Sequence, residues 1–136
     1  MQRSPEVEAV VIAMLEAMKS GNADVAAAGL SEDLTTAIGT DAEEWWEGYD
    51  TSARAFRAQL EASGGLPTDL TDIRGYQLDG IGWFEARGSL PVENAAPAVV
   101  RMTGVLRREP DAWRFVQVHA SAGIPNAQLG MEDLPV

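Results

Sequence analysis

The sequence contains no cysteine, and His119 is its only histidine. Without cysteine the chain has no disulfide framework and no thiolate nucleophile, and one histidine leaves few nitrogen ligands for a metal. We therefore predict no metal site. The glycines in "GYD" and "GGL" fit turns and helix ends rather than the strand–glycine–helix arrangement that cradles phosphates. We therefore predict no cofactor.

Positive charge is scarce. The chain has 10 lysine and arginine residues against 21 aspartate and glutamate residues, which gives a net charge of -11 at pH 7. Such a field repels nucleic acids and anionic membrane surfaces, so we predict neither as a partner. The N-terminal segment also lacks an uninterrupted apolar run, because Glu6 and Glu8 divide it. It is predicted to be neither a signal peptide nor a membrane span, and we expect a cytoplasmic protein.

Apolar residues are plentiful enough for one domain, at 46% of 136 residues. In the first half they recur at three- and four-residue spacing, which predicts a helix that Ser4 caps and Gly21 ends. A short helix follows in "ADVAAA", and Asp50 or Thr51 is expected to cap a third. Between these helices we predict a short strand in "DLTTAIG" and an acidic loop in "TDAEEWWEGYD".

The second half has the pattern of antiparallel strands. Turn-forming residues at Asp79-Gly80, Pro91–Pro97 and Pro110-Asp111 separate four segments, which are "TDIRGYQLDG", "IGWFEARGSL", "PAVVRMTGVLRRE" and "AWRFVQVHAS". Helices followed by strands predict an α+β domain with the helices on one face of a sheet. We assign residues 1–126 to this domain and residues 127–136 to a C-terminal tail.

The order of these elements, with "WWEG", "RMTGVLRRE" and "WRFVQVHAS" as its most specific parts, resembles the SnoaL-like branch of the nuclear transport factor 2-like superfamily. The resemblance extends from Pro5 to Asn126. It implies a cone-shaped, curved antiparallel sheet wrapped around the N-terminal helices and enclosing an apolar pocket. It also implies a dimer, because members commonly dimerise through the outer sheet face. It does not imply one activity, because members include isomerases, cyclases, dehydratases, hydrolases and non-catalytic modules.

The pairing of the last two strands determines which side chains face the pocket. With a four-residue loop from Glu109 to Ala112, Arg108 pairs with Trp113, and one face of the hairpin becomes bulky. We expect the bulky face to be the outer one and to form a homodimer interface. Its residues are Met102, Leu106, Trp113, Phe115, Gln117 and His119. The opposite face has smaller side chains that leave room for a ligand, although a one-residue slip would exchange the faces.

The predicted ligand-binding residues come from the acidic loop and from three strands. In the family pattern the tryptophan two residues before Gly48, Trp46, faces inward, and Tyr49 adds a hydroxyl. The full set is Trp46, Tyr49, Trp83, Glu85, Arg87, Arg101 and Thr103. Two alternatives stay open: Trp46 could be core packing, and Glu85 with Arg101 could be a structural ion pair rather than a ligand contact.

Two functions follow from this set. The preferred one is a module that binds a small, largely apolar molecule in the cone, lined by Trp46, Trp83 and Arg101. The alternative is an isomerase, cyclase or hydrolase acting on a small apolar substrate, with Glu85 as general base and Tyr49 or Arg101 stabilising an oxyanion.

His119 is a further catalytic candidate, because the reference pKa of histidine suits a general base. Its predicted place on the outer face argues against that role.

Overall fold

The computed structural model describes residues 1–136, and its N-terminal half contains three helices. Helix α1 spans Pro5–Ser20 and α2 spans Ala23–Ala28. The backbone N–H of Val7 donates to Ser4 Oγ at 3.2 Å, which confirms the predicted cap of α1. Gly21 ends this helix with a φ of 77°, a left-handed conformation that glycine adopts without strain.

Helix α3 spans Tyr49–Ser63 and begins earlier than the sequence predicts. Gly48, with a φ of 87°, precedes its first residue, and Asp50 and Thr51 lie within its first turn. The expected side-chain cap at Asp50 or Thr51 is therefore wrong. An acidic residue in the first turn still interacts favourably with the helix dipole, which explains why this segment resembles a helix start.

Seven strands form one curved sheet in the order β1-β4-β5-β6-β7-β2-β3. Their bounds are Gln2–Arg3, Thr36–Ile38, Trp45–Glu47, Asp69–Leu78, Ile81–Leu90, Ala98–Arg108 and Trp113–Ala122, for β1 to β7 in chain order. All neighbouring strands are antiparallel except β2 and β7. The predicted strand in "DLTTAIG" is confirmed as β2, whereas the acidic segment predicted as a loop contains β3.

The helices cover the bulky face of the sheet, so the predicted assignment of inner and outer faces is wrong. Met102, Leu106, Trp113 and Phe115, expected on the outer face, are all buried in the core. They join the apolar faces of the helices, which supply Val7, Val11, Met14, Phe56 and Leu60. The physical reason is that the opposite face contains arginine and glutamate, whose charges are costly to bury beneath helices.

A bulge in β7 also changes the predicted register. Leu106 pairs with Phe115 as expected, but Val105 pairs with Gln117, so Val116 is an extra residue. Beyond it every predicted pair is offset by one, and His119 lies opposite Thr103. The prediction that His119 is on the outer face is nevertheless confirmed. The reversal of the two faces alone would place His119 inside, and the one-residue offset after the bulge returns it to the outside.

The chain ends in a short 3-10 helix, Asn126–Leu129, followed by exposed residues. The predicted division at residue 126 stays a prediction. None of the helices combines the length and the apolar character that crossing a membrane requires.

Candidate functional site

A cavity of about 400 Å³ lies inside the cone, between the C-terminal part of α3 and the inner face of β6, β7 and β2. Most of its lining is apolar. These side chains include Met18, Ile38, Trp46, Phe56, Leu66, Leu90, Val100, Met102, Val118 and Ala120. The cavity belongs to the same apolar layer as the core, because alternate residues of β6 and β7 face inward.

Trp46 is the member of the predicted ligand-binding set that lines this cavity. It lies on β3, where neighbouring side chains point to opposite faces, so Trp45 is exposed while Trp46 is half-buried. The indole N–H of Trp45 donates to Glu47 Oε1 at 3.1 Å, on the outside. The prediction that Trp46 rather than Trp45 faces inward is confirmed.

Glu44 is the charged residue of the cavity lining. It is two residues before Trp46, so the two side chains project to the same side of an extended segment. Its carboxylate lies across Gly39, where a Cβ atom would be 1.7 Å from Glu44 Oε2. The backbone N–H of Gly39 donates to the Glu44 carbonyl at 2.9 Å, which fixes the two residues face to face. Glu44 takes part in none of the ion pairs of the structure.

The polar residues predicted for the pocket do lie together, but on the outer face of the sheet. Glu85, Arg87, Arg101 and Thr103 line a shallow depression of about 330 Å³. Glu85 on β5 is opposite Thr103 on β6. Their assignment to the cone pocket is wrong, because the residues of β5 and β6 that face inward are the alternate ones.

Ion pairs join charged side chains within this outer depression. Arg74 Nη1 is 3.6 Å from Glu85 Oε1, so the partner of Glu85 is Arg74 and not the predicted Arg101. Arg87 Nε donates to Asp72 Oδ2 at 2.9 Å, and this hydrogen bond is the main cause that lowers the pKa of Asp72. Arg101 Nε instead donates to Ser121 Oγ at 3.1 Å. The sites are exposed, so these pairs contribute little to stability.

Trp83 and Tyr49, the other predicted pocket residues, lie outside the cone cavity as well. Trp83 stacks on Tyr76 on the outer face, with ring centroids 5.7 Å apart. Tyr49 lines a separate groove together with Glu109 and Arg114. Glu85 and Tyr49, the acid and the phenol of the predicted enzyme, therefore line different depressions.

Sequence reasoning missed Glu44 because it lies in an acidic segment that is typical of a solvated loop. One signal could have identified it. Glu44 and Trp46 have the alternating spacing of a strand, and Gly39 supplies the space that a close backbone crossing needs. Met18 and Leu66 also line the cavity. Nothing in the sequence distinguishes these apolar residues from ordinary core residues.

The geometry agrees with the comparison to known families. The model of the SnoaL-like domain matches residues 7–125. The chain belongs to the SnoaL-like domain family. None of the curated proteins matches the sequence significantly.

Solved structures share the fold of this SnoaL-like chain. A Streptomyces avermitilis protein of the nuclear transport factor 2-like family, provisionally named a dehydratase, has a TM-score of 0.76 at 16% identity, covering 88% of this chain and 95% of its own. A Parabacteroides distasonis protein provisionally named a ketosteroid isomerase has a TM-score of 0.67 at 17% identity, covering 89% and 91%. A nuclear transport factor 2-like protein of unknown function from Pseudomonas putida has a TM-score of 0.76 at 13% identity, covering 99% and 96%. At these identities the likeness extends to the fold alone.

Proposed function

We propose that this SnoaL-like chain binds a small, largely apolar molecule in the cone cavity. The observation that carries the proposal is the cavity itself, which holds about 400 Å³ behind a mainly apolar lining. That volume lies within the roughly 300–1,000 Å³ typical of small-molecule sites, which also combine apolar walls with a few polar groups. Trp46 provides the large aromatic surface of the wall.

The enzymatic alternative, with Glu85 as general base, has less support. Its general base, Glu85, is on the outer face and pairs with Arg74, whereas Tyr49 lies in another groove. Acid–base chemistry on a carbonyl needs a base and an oxyanion donor at the same bound substrate. The names of the dehydratase and isomerase neighbours belong to those proteins, and the fold does not transfer their activities.

Filling the cavity tests the proposal. Ala120 lies on the inner face of β7 and lines the cavity, so Ala120→Phe would occupy part of its volume. We expect isothermal titration calorimetry with cyclohexylmethanol to show binding to the wild type and at least a tenfold loss of affinity in this variant. Ala58→Phe, the same exchange at an exposed site of α3 outside the lining, is the matched control and should bind like the wild type.

Equal binding by Ala120→Phe and the wild type would show that the probe binds elsewhere. Failure of the wild type to bind this probe and every other probe of a series with an apolar body of similar size would contradict the proposed function. Circular dichroism of both variants verifies that each remains folded.

We also propose that two copies associate through the outer sheet face, although not through the buried residues first expected there. The face presents Trp83, Val105 and His119 among charges of both signs, such as Arg101 and Glu85. A two-fold axis would place such mixed charges against one another, which suits a second copy of the same face. The cytoplasmic location stays a prediction.

A further inference from the structure

We infer that the ligand of the cone cavity carries a protonated amino group, for which Glu44 is the counterion. The inference rests on the proposed function and adds the chemical class of the ligand. It follows from the charges of the cavity: Glu44 lines it, and no lysine, arginine or histidine does. A carboxylate in an apolar wall forms its strongest hydrogen bonds with a cationic donor.

The carboxylate of Glu44 is held at the cavity without a partner from the chain. It is half-buried, and its position over Gly39 is set by the hairpin that joins β2 to β3. Asp72 and Glu109, which line two other depressions, have arginine partners that balance their charges, whereas Glu44 has none. The unbalanced charge of Glu44 is therefore available to a ligand.

Two further features favour a cation over an anion. The indole of Trp46 lines the same cavity, and aromatic faces attract ammonium groups. The chain also has a net charge of -11, which raises the local concentration of cations and repels carboxylates. The expected ligand is thus a small amine with an apolar body, in which the amino group meets Glu44 and the body fills the space beside Met102.

Three probes with one skeleton test the class: cyclohexylmethylamine, cyclohexylmethanol and cyclohexanecarboxylate. By calorimetry at pH 7 we expect the amine to bind at least about tenfold more tightly than the alcohol, which corresponds to about 1.4 kcal/mol. The carboxylate should bind more weakly than either. Glu44→Gln should reduce the preference for the amine to about twofold or less, because the amide that replaces the carboxylate is a neutral acceptor.

Two variants secure this reading. Glu43→Gln removes the same charge from an exposed neighbour outside the lining and should retain the preference for the amine. Gly39→Ala keeps the carboxylate but displaces it, because the new Cβ would overlap Glu44 Oε2, and it should weaken amine binding selectively. This second route tests the inference even where Glu44→Gln disturbs folding.

The outcomes separate the inference from the function on which it rests. If the alcohol binds and the amine binds no better, or the preference survives Glu44→Gln, the inference is overturned and the apolar site stands. If the carboxylate binds best, the inference is likewise overturned. If none of the three binds the wild type, both the inference and the proposed function fail.

Discussion

Replacing Phe115 by alanine tests the assignment of the inner sheet face. Its side chain is 1% exposed and meets Phe84 edge to face, with ring centroids 5.9 Å apart. Truncating a core phenylalanine typically costs about 3–5 kcal/mol, and the aromatic pair accounts for about 0.5–1.5 kcal/mol of that. The backbone hydrogen bonds that Phe115 forms with Gly29 and Ser31 do not involve its ring, so they remain available in the variant. We therefore expect a loss of about 4 kcal/mol in the free energy of unfolding.

Urea denaturation followed by far-ultraviolet circular dichroism measures this loss as a lower midpoint at an unchanged slope. A domain is stable by only about 5–15 kcal/mol, so the effect is a large part of the total. Gln117→Ala is the control, because this exposed side chain is on the outer face of the same strand and should change stability by about 0.5 kcal/mol or less. A loss below about 1 kcal/mol for Phe115→Ala would refute the assignment of the faces.

Three further predictions follow from the outer surface. Val105→Glu should convert the proposed dimer to a monomer in sedimentation velocity, because it adds a negative charge to the interface face of each copy of an already acidic chain. Val92→Glu, at an exposed site of the linker between β5 and β6, should not. A wild type that is monomeric at micromolar concentration would contradict the dimer. Arg101→Met should leave cyclohexylmethanol affinity within about twofold in calorimetry, since Arg101 lies outside the cavity, and a large loss would contradict this placement. A hydrogen bond from Arg107 lowers the pKa of Glu109 in the folded state below its ordinary value of 4.5. The ionised carboxylate therefore stabilises the fold fully above pH 4.5, and this contribution is lost as the pH falls through the folded-state pKa. The stability advantage of the wild type over Glu109→Gln in thermal melts should shrink over that acid range, and an advantage independent of pH would exclude the linkage.

The sequence predicts the elements better than it predicts their faces. The cap at Ser4 and the turn at Asp79-Gly80 are local features that their residue types indicate correctly. The cap predicted for α3 is wrong, because Gly48 precedes that helix without a side-chain cap. Alternation along the strands also groups Arg101 with Thr103 and Met102 with Leu106. Which group faces the helices depends on contacts distant in sequence, and the cost of burying charge determines it.

Two features of the site have no strong local signal. The bulge at Val116 depends on how β7 curves around the core, and one inserted residue shifts the register of all that follow. Glu44 has the composition of a solvated loop, and only the hairpin with Gly39 brings its carboxylate to the cavity. Trp46 was predictable because strand alternation and the family pattern agree.

The most direct test of ligand binding inside the cone uses the methionine methyl groups as reporters. Met18 and Met102 line the cavity, Met14 is buried outside its lining, and Met1 and Met131 are exposed. In methyl-labelled protein titrated with cyclohexylmethanol, we predict saturable NMR shift changes at Met18 and Met102 and little change at the other three. Saturation with unchanged methyl shifts at Met18 and Met102 would contradict binding inside the cone.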